Sequence, residues 1–302
     1  MERAIPEADA GGDILVGIVT LNRMEKLAHT LAECRSLGFG RFVVVDNGSS
    51  DGSREFLSAQ PGVKSLFPEN NEGGSGGFNR IKRYFYENTN ANYLLLMDDD
   101  AYPTFSRRHL AAFLAERSAC NYWAYACKVI YPTGSLCEMN RPGKNILANH
   151  PLRHFGKDYH IDAKSPEGIV DFASFVGLLL TRDAIRQVGV VSAQFFIYSD
   201  DTYYTLSISQ SHGKILYCPE LTFIHDCNRS SRNLIHHDPV RLERDVVNKI
   251  VMIREYSRFH RLYVSLYLIR LLARNPRTAT RILTAAQKGL SANLLDYRNQ
   301  PV

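Results

Sequence analysis

The chain reads as an α/β protein built on a mostly parallel sheet flanked by helices, with a helical region appended after about residue 240. Three observations predict this. Four short apolar runs, Ile14 to Val19, Phe42 to Val45, Val63 to Phe67 and Tyr93 to Met97, are bounded by turn chemistry. The gaps between them carry helical spacing, with Leu27, Leu31 and Cys34 inside 24–37 and Phe78, Ile81 and Phe85 inside 76–88. Beyond about residue 240 the pattern is helical.

Each apolar run is nearly continuous rather than alternating, so each strand is expected to be covered on both faces. Helical crossovers then make successive strands parallel and gather the loops at their carboxyl ends, where α/β sheets bind ligands. The polar residues fall at those ends. Thr20, Asn22 and Arg23 follow the first run, Asp46 and Asn47 the second, Asn70 and Asn71 lie beyond the third, and Asp98, Asp99 and Asp100 follow the fourth. In the second half, Phe172 to Leu180, Ile215 to Tyr217 and Thr222 to His225 are expected to continue the sheet. There is no internal repeat and no low-complexity tract.

With 302 residues, 45% of them hydrophobic, the chain can bury a sizeable core as one large domain plus an appendage. The boundaries expected are a tail over 1–13, a main domain over 14–240 divided near 105, and a helical region over 241–302. The net charge of +5 is local in origin, since residues 258–290 hold seven Lys or Arg and no acid. No nucleic-acid module accompanies that basic stretch, so anionic lipid or an anionic carrier is the expected partner class and nucleic acid is not. The six cysteines show no CxxC pair and no zinc-ligand spacing, and read as reduced thiols. The N-terminal MERAIPEADAGGD is acidic and unlike a signal peptide, and the apolar stretch Leu262 to Ala273 is interrupted by Arg270. These features predict a cytoplasmic protein with peripheral membrane contact as an option.

Met97-Asp98-Asp99-Asp100 places three carboxylates at the end of a buried strand, where their repulsion calls for a cation. Hard oxygen ligands suit magnesium or manganese, against the plain reading of a solvated acidic turn. Asn71-Glu72-Gly73-Gly74-Ser75-Gly76-Gly77-Phe78 lies between a strand and a helix, where backbone can approach a phosphate closely, although a flexible linker has the same composition. It lacks the Walker Lys-Ser/Thr and the dinucleotide spacing. In Phe195-Phe196-Ile197-Tyr198-Ser199-Asp200-Asp201, a carboxylate could serve as a general base or simply cap the following helix. His225, at the end of its segment, is a candidate manganese ligand or an ordinary histidine. No GxSxG or Cys/His nucleophile arrangement is present.

Taken in order, Val19-Thr20-Leu21-Asn22-Arg23, Val45 to Gly52, the Asn70-to-Phe78 segment, the Asp98–Asp100 triplet, Phe196 to Asp201 and His225 resemble the inverting glycosyltransferases of family 2, over about residues 14–256. The resemblance implies a GT-A fold with a Rossmann-like sheet. It divides the main domain into a nucleotide-sugar half, about 14–105, and an acceptor half, about 106–240. It implies that Asp46 binds the nucleotide base and that Asp98 and Asp99 meet the ribose-diphosphate. Asp98, Asp100 and His225 would hold the metal, Asp201 would act as catalytic base, and Asp200 would orient the acceptor or support Asp201. Thr20, Asn22, Arg23, Asn47, Asn71, Gly73, Gly74, Gly76 and Gly77 complete the expected nucleotide-sugar contacts. Within the family the Gly-rich segment is most similar to galactofuranosyltransferases and the neighbouring rhamnosyltransferases, which implies UDP-galactofuranose, or alternatively dTDP-rhamnose, as donor. The implied acceptor is a bacterial surface glycan, such as an O-antigen, or a lipid-linked glycan. The Trp-rich acceptor segment of galactofuranosyltransferases is missing, since the single tryptophan is Trp123 and the matching stretch reads Phe172 to Gly177.

Arg254, in Ile253-Arg254-Glu255-Tyr256, matches an aromatic-Arg segment of the family, and could approach the diphosphate or acceptor or stabilise a helix. Arg270, Arg274, Arg277 and Arg281 share a helical spacing opposite Leu262, Leu266, Ile269 and Leu272, as an interfacial helix does. Asn275-Pro276 should split that stretch in two, so a packed or oligomer-forming helical pair is the alternative. Two rivals remain. A nucleotidyltransferase is disfavoured because its Gly-rich loop follows the first strand, where this chain has Thr20 to Met24. A non-catalytic nucleotide-sugar-binding relative is disfavoured by the intact metal and base candidates.

Overall fold

The computed structural model describes residues 13–153, 158–162, 164–227 and 238–302, so the expected N-terminal tail lies, apart from Asp13, outside the described residues. The nucleotide half follows the expected alternation. Strand β1 (Ile14–Thr20) leads to helix α1 (Met24–Ser36), β2 (Phe42–Asp46), α2 (Ser53–Ser58), β3 (Val63–Leu66), α3 (Gly73–Asn88) and β4 (Tyr93–Asp98). The remaining strands are β5 (Ala101–Pro103), β6 (Tyr122–Ile130), β7 (Gly168–Val170), β8 (Leu178–Thr181) and β9 (Lys214–His225). Helices α4 (Arg107–Glu116), α5 (Arg182–Val188) and α6 (Asp200–Gln210) pack around them, and α7 (Pro239–Tyr256), α8 (His260–Arg274) and α9 (Ala279–Ser291) follow.

All these strands join one sheet in the order β3-β2-β1-β4-β8-β6-β9-β5, with β7 also paired to β9. The parallel character expected for most of the sheet holds for β3-β2-β1-β4. Past β4 the sheet is mixed: β8 runs antiparallel to β4 and β6, β5 and β7 run antiparallel to β9, and β6 is parallel to β9. The reason is that β8 arrives from a long loop excursion and not from a crossover helix, so nothing enforces parallel entry. The run Phe172 to Leu180 is accordingly a strand only from Leu178, after Gly177 turns the chain at φ +72°. The segments Ile215 to Tyr217 and Thr222 to His225 are one strand, whose register against β6 shifts between Cys127 and Lys128, opposite Pro219. Proline supplies no ladder N–H, and a bulge absorbs that.

Side chains alternate across the sheet exactly as two-sided burial requires of β1 and β4: Ile14, Val16, Ile18, Leu95 and Met97 face α1 and α4, while Leu15, Leu94 and Leu96 face α3 and the C-terminal helices. Residue 240, the expected division, falls inside α7. Leu242, Val246, Ile250 and Val251 of that helix are buried in the same core cluster as β1 and β4, so α7 is a wall of the main core.

The Gly-rich segment is the first turns of α3 and not a loop preceding it. A Cβ on Gly73 (φ +69°) would lie 2.0 Å from the Phe196 carbonyl oxygen, and one on Gly77 would lie 2.7 Å from Val19 Cγ1. Small residues here let α3 lie directly on β1 and on the turn before α6. Gly74 has no atom within 4 Å of its notional Cβ. Gly77→Ala is therefore expected to destabilise the fold by about 1–3 kcal/mol, whereas Gly74→Ala should be neutral or stabilising by up to about 1 kcal/mol. Equal denaturant midpoints for the two variants would remove the packing explanation.

Candidate active site

The parallel register sets the site. Thr20 pairs with Asp46 across β1 and β2, and Val19 pairs with Asp98 across β1 and β4, so three carboxyl ends meet on one edge of the sheet. The turn Asp98–Asp100 then feeds β5, whose Ala101 pairs with His225 at the end of β9, and Asp226 N donates to the Asp100 carbonyl at 2.8 Å. Short antiparallel pairing thus delivers an imidazole to the triplet from far along the chain.

One ligand atom each from Asp98, Asp100 and His225 lie within 4.8 Å of one another. His225 Nε2 is 3.2 Å from Asp100 Oδ1 and 3.8 Å from Asp98 Oδ2. The Asp98 side chain is 41% exposed, towards the cleft, while those of Asp100 and His225 are 2% and 4% exposed. The opposite ring nitrogen, Nδ1, lies 2.7 Å from Asn140 Oδ1 and donates to it, and Asn140 Nδ2 donates to Ser174 Oγ at 2.7 Å. This hydrogen bond holds the ring with Nε2 turned to Asp100 and Asp98, as the outer partner of a metal-binding histidine does. Sequence reasoning missed Asn140, a polar residue in an irregular stretch whose only signal is its burial.

Arg23 reaches across the triplet, donating from Nη1 to Asp99 Oδ1 at 2.9 Å and Asp100 Oδ2 at 2.7 Å. Thr20 Oγ1 donates to Asp99 Oδ2 at 2.8 Å, and Thr30 Oγ1 to the Asp99 carbonyl at 2.8 Å. Asp99 is therefore held by the protein, and burial raises its carboxyl above the usual range against the pull of Arg23. At Asp100 burial also acts upwards, but His225 and Arg23 win and hold it below the usual range. Burial lowers His225, yet pairing with Asp100, Cys137 and Asp98 overcomes it and raises the imidazole to about 10. Three carboxylates face one guanidinium and one imidazole, and burial raises the Asp98 carboxyl to about 7 against the pull of His225, so positive charge is needed beside them.

A cleft of ≈ 440 Å³ opens beside it, lined among others by Thr20, Arg23, Asn47, Asn71, Gly73, Gly74, Asp98 and Asp99. Asn47 Nδ2 donates to the Gly73 carbonyl at 2.9 Å, and Asn71 Oδ1 accepts from Gly73 N at 2.8 Å, tying the second and third strand ends to α3. Asp46 Oδ1 accepts from Ser49 N at 2.9 Å, and Asn22, at φ 53°, holds the same turn through Ser49 and Ser50. Neither Asp46, which is fully buried, nor Asn22 is among the residues lining the cleft, and Gly76 and Gly77 face Glu72 and Val19. Asp46 Oδ2, Asn47 Oδ1 and Asp100 Oδ1 are buried acceptors without a hydrogen-bond partner, a chemistry that N–H groups or a cation satisfy. The far wall was not foreseen: Arg241 and Arg244 of α7 line the cleft with Asp238, Val240, Phe196 and Ile197. Nothing in the helical spacing of that segment distinguishes those arginines from surface ones. Arg254, by contrast, donates from Nη1 to the carbonyls of Gly289 and Ala292 at 2.7 and 2.9 Å, so it caps the end of α9 and is not in the site.

Asp200 and Asp201 open α6 and are not among the cleft-lining residues, though Asp200 lies within electrostatic reach of Asp98. The turn before them is strained, with Phe196, Tyr198 and Ser199 at φ 59°, 70° and 62°. Asn248 of α7, fully buried, restrains it by donating from Nδ2 to the carbonyls of Phe195, Ile197 and Tyr198 at 2.8, 2.8 and 3.0 Å. Burial, then the charge of Asp201, raises Asp200 to about 7; burial also raises Asp201, whose Oδ1 accepts from Thr202 N at 2.6 Å. Behind them Lys82 is fully buried with its Nζ 3.6 Å from the Tyr204 ring centroid and 4.1 Å from that of Phe175. Burial drives that amine well below its usual range, opposed by Asp200 and Asp201.

The family model "Glycosyl transferase family 2" matches residues 15–158. The chain is 31% identical over 165 residues to "Glycosyltransferase AglJ" of Haloferax volcanii, a match covering 54% of this chain and 52% of the relative. It therefore spans about half the length of that relative. Among solved structures it is similar to S. aureus TarS 1-349 in complex with UDP-GlcNAc, with a TM-score of 0.52 and 11% identity over 92% of this chain and 81% of that one. It is also similar to GalNAc-T7 with UDP, GalNAc and Mn2+, with a TM-score of 0.53 and 12% identity over 74% of this chain and 48% of that one. The fold is of the GT-A type.

Asn140→Leu is expected to weaken divalent-metal affinity by about 10- to 100-fold by releasing the His225 ring. Manganese titration followed by electron paramagnetic resonance reads this, and an unchanged affinity would show that Asn140 does not position the ligand.

Proposed function

We propose that this chain is an inverting, metal-dependent glycosyltransferase that takes its sugar from a nucleotide diphosphate bound in the cleft beside Asp98–Asp100. The observation that carries the reading is the convergence of Asp98, which lines the cleft, with the buried Asp100 and with His225, whose ring Asn140 holds at Nδ1. Two carboxylates and an imidazole are a donor set for manganese or magnesium, and the unpartnered Asp100 Oδ1 fits a cation. When bound there, the metal supplies positive charge to the departing diphosphate. The match of residues 15–158 to the family model and the AglJ similarity support the same reaction class, and the structural likeness to complexes with UDP and Mn2+ supports the fold it needs.

In this reading Asp46 and Asn47 meet the nucleoside, and Asp98 and Asp99 meet the ribose-diphosphate. Arg23, Arg241 and Arg244 offer guanidinium groups to phosphate oxygens from opposite walls. Asn71, Gly73 and Gly74 let the start of α3 approach the donor. Asp201 accepts the proton of an acceptor hydroxyl as that oxygen attacks the anomeric carbon from the face opposite the leaving diphosphate, so the centre inverts. Asp200 tunes and supports it. The preferred donor is UDP-galactofuranose, supported by the resemblance of the Gly-rich segment, with dTDP-rhamnose as the competitor and a lipid-linked or surface glycan as acceptor.

The test is a donor panel of UDP-galactofuranose, UDP-galactopyranose, UDP-glucose and dTDP-rhamnose, with manganese and with chelator, on wild type and Asp201→Asn. The expected result is manganese-dependent release of UDP from UDP-galactofuranose. Asp201→Asn should bind UDP normally but lose about 10²–10⁴-fold in turnover. Because the base must be ionised and burial raises Asp201 above the usual carboxylate range, the rate should fall on acidification at a higher pH than an ordinary carboxylate would give. Use of dTDP-rhamnose would change the donor and keep the mechanism. Metal-dependent nucleotide-sugar binding without turnover on any acceptor would favour the non-catalytic reading, and absence of binding would overturn both.

A second surface supports peripheral contact with an anionic membrane. Among the described residues no helix is long and apolar enough to cross a membrane, but α8 exposes Ile269 at 66% beside Arg270 and Arg274, with Arg277 and Arg281 exposed just beyond. The break expected at Asn275-Pro276 is present, so the basic residues run over two helices. The protein should co-sediment with phosphatidylglycerol vesicles and not with phosphatidylcholine vesicles, and Arg270→Glu with Arg274→Glu should abolish this; equal sedimentation of both proteins would sink the idea.

A further inference from the structure

The Nδ1 edge of His225 meets Asn140 Oδ1, and that oxygen also accepts from Cys137 Sγ at 3.0 Å, so two cysteines gather behind the same edge. Cys137 Sγ lies 3.9 Å from His225 Nδ1, and with Cys227 the three ligand atoms lie within 4.8 Å of one another. Cys137 is held by its N–H to the Val129 carbonyl at 2.9 Å and is buried, while Cys227, two residues after His225, is partly exposed and gives a route from solvent. The Cys227 sulfur is also 3.8 Å from the Met139 thioether. Neighbouring ligand atoms of tetrahedral zinc, at Zn–S of about 2.3 Å and Zn–N of about 2.0 Å, sit roughly 3.5–3.8 Å apart. The Cys137–His225 separation needs only a few tenths of an ångström of adjustment.

We propose that Cys137, Cys227 and Nδ1 of His225 form a soft-metal site of the zinc class, back to back with the carboxylate edge of the same ring. Two thiolates and an imidazole select zinc-like ions and reject magnesium, whereas the two aspartates on the other edge do the reverse. Spacing alone gives no hint of it, because Cys137 and Cys227 are far apart in sequence and form no CxxC. On binding, the two thiol protons pass to solvent and sulfur–metal bonds form. The Nδ1 proton of the ring passes to solvent with them, the ring keeps its Nε2 proton towards Asp100, and Asn140 turns its Oδ1 away from Nδ1 to admit the ion.

The experiment is titration of phosphine-reduced protein with cobalt, which reports thiolate ligation as a sulfur-to-metal charge-transfer band in the near ultraviolet. One cobalt per chain should give the band, and one equivalent of zinc should discharge it. Cys227→Ser should weaken cobalt binding at least about tenfold and remove most of the band, while Cys120→Ser, at an exposed cysteine elsewhere, should leave it intact. Absence of the band in the reduced wild type, or a band unchanged in Cys227→Ser, would overturn the site, whatever the outcome of the donor panel.

Discussion

Three consecutive carboxylates at the end of a strand buried on both faces repel one another in a medium that screens poorly, and the structure around them is organised to answer that charge. Asp99 is taken up by Thr20 and Arg23, leaving Asp98 and Asp100 turned towards His225. Asp100 is shared, since its Oδ2 accepts from Arg23 at 2.7 Å while its Oδ1 faces His225 at 3.2 Å, and Asp98 faces the imidazole at 3.8 Å from the cleft side.

β8 runs antiparallel to both β4 and β6, and β6 is parallel to β9, so β9 runs in the direction of β4 and ends on the same edge. The imidazole at that end has then only to be brought next to Asp100. The antiparallel β5–β9 pair does this in three residues, with Ala101 opposite His225. Asn140 then holds the ring from behind, so the nitrogen that faces the carboxylates is set by a residue on the far side of the imidazole. On the opposite side of the cleft, α7 plays a comparable part. Its apolar face completes the core, Asn248 restrains the left-handed turn before Asp200, and Arg241 and Arg244 complete the cleft wall. A helix that composition assigns to an appendage is thus part of the site.

Lys82 marks the cost of this arrangement. An amine buried against two aromatic faces, with no hydrogen bond to its nitrogen, is tolerated because Asp200 and Asp201 lie near enough to oppose its desolvation. The carboxylates are raised by the same burial, so the two groups hold a shared charge whose distribution follows the protonation of the pair.

By itself the sequence determined the four parallel strands, the helices between them and the polar residues at the strand ends, because two-sided burial writes a continuous apolar run and the carboxyl-end rule then locates the loops. The Asp98–Asp100 triplet and the Asp200–Asp201 pair were legible for the same reason, as charges placed directly after apolar segments. Only the tertiary structure decided which aspartates face His225, that Asn140 and not a neighbour orients its ring, that the glycines open α3 against Val19 and Phe196, and that Arg254 caps a helix while Arg241 and Arg244 face the cleft. Those outcomes depend on register between distant strands and on which face of a helix meets the core. A local pattern of residues holds the period of an element but not the partner it will pack against.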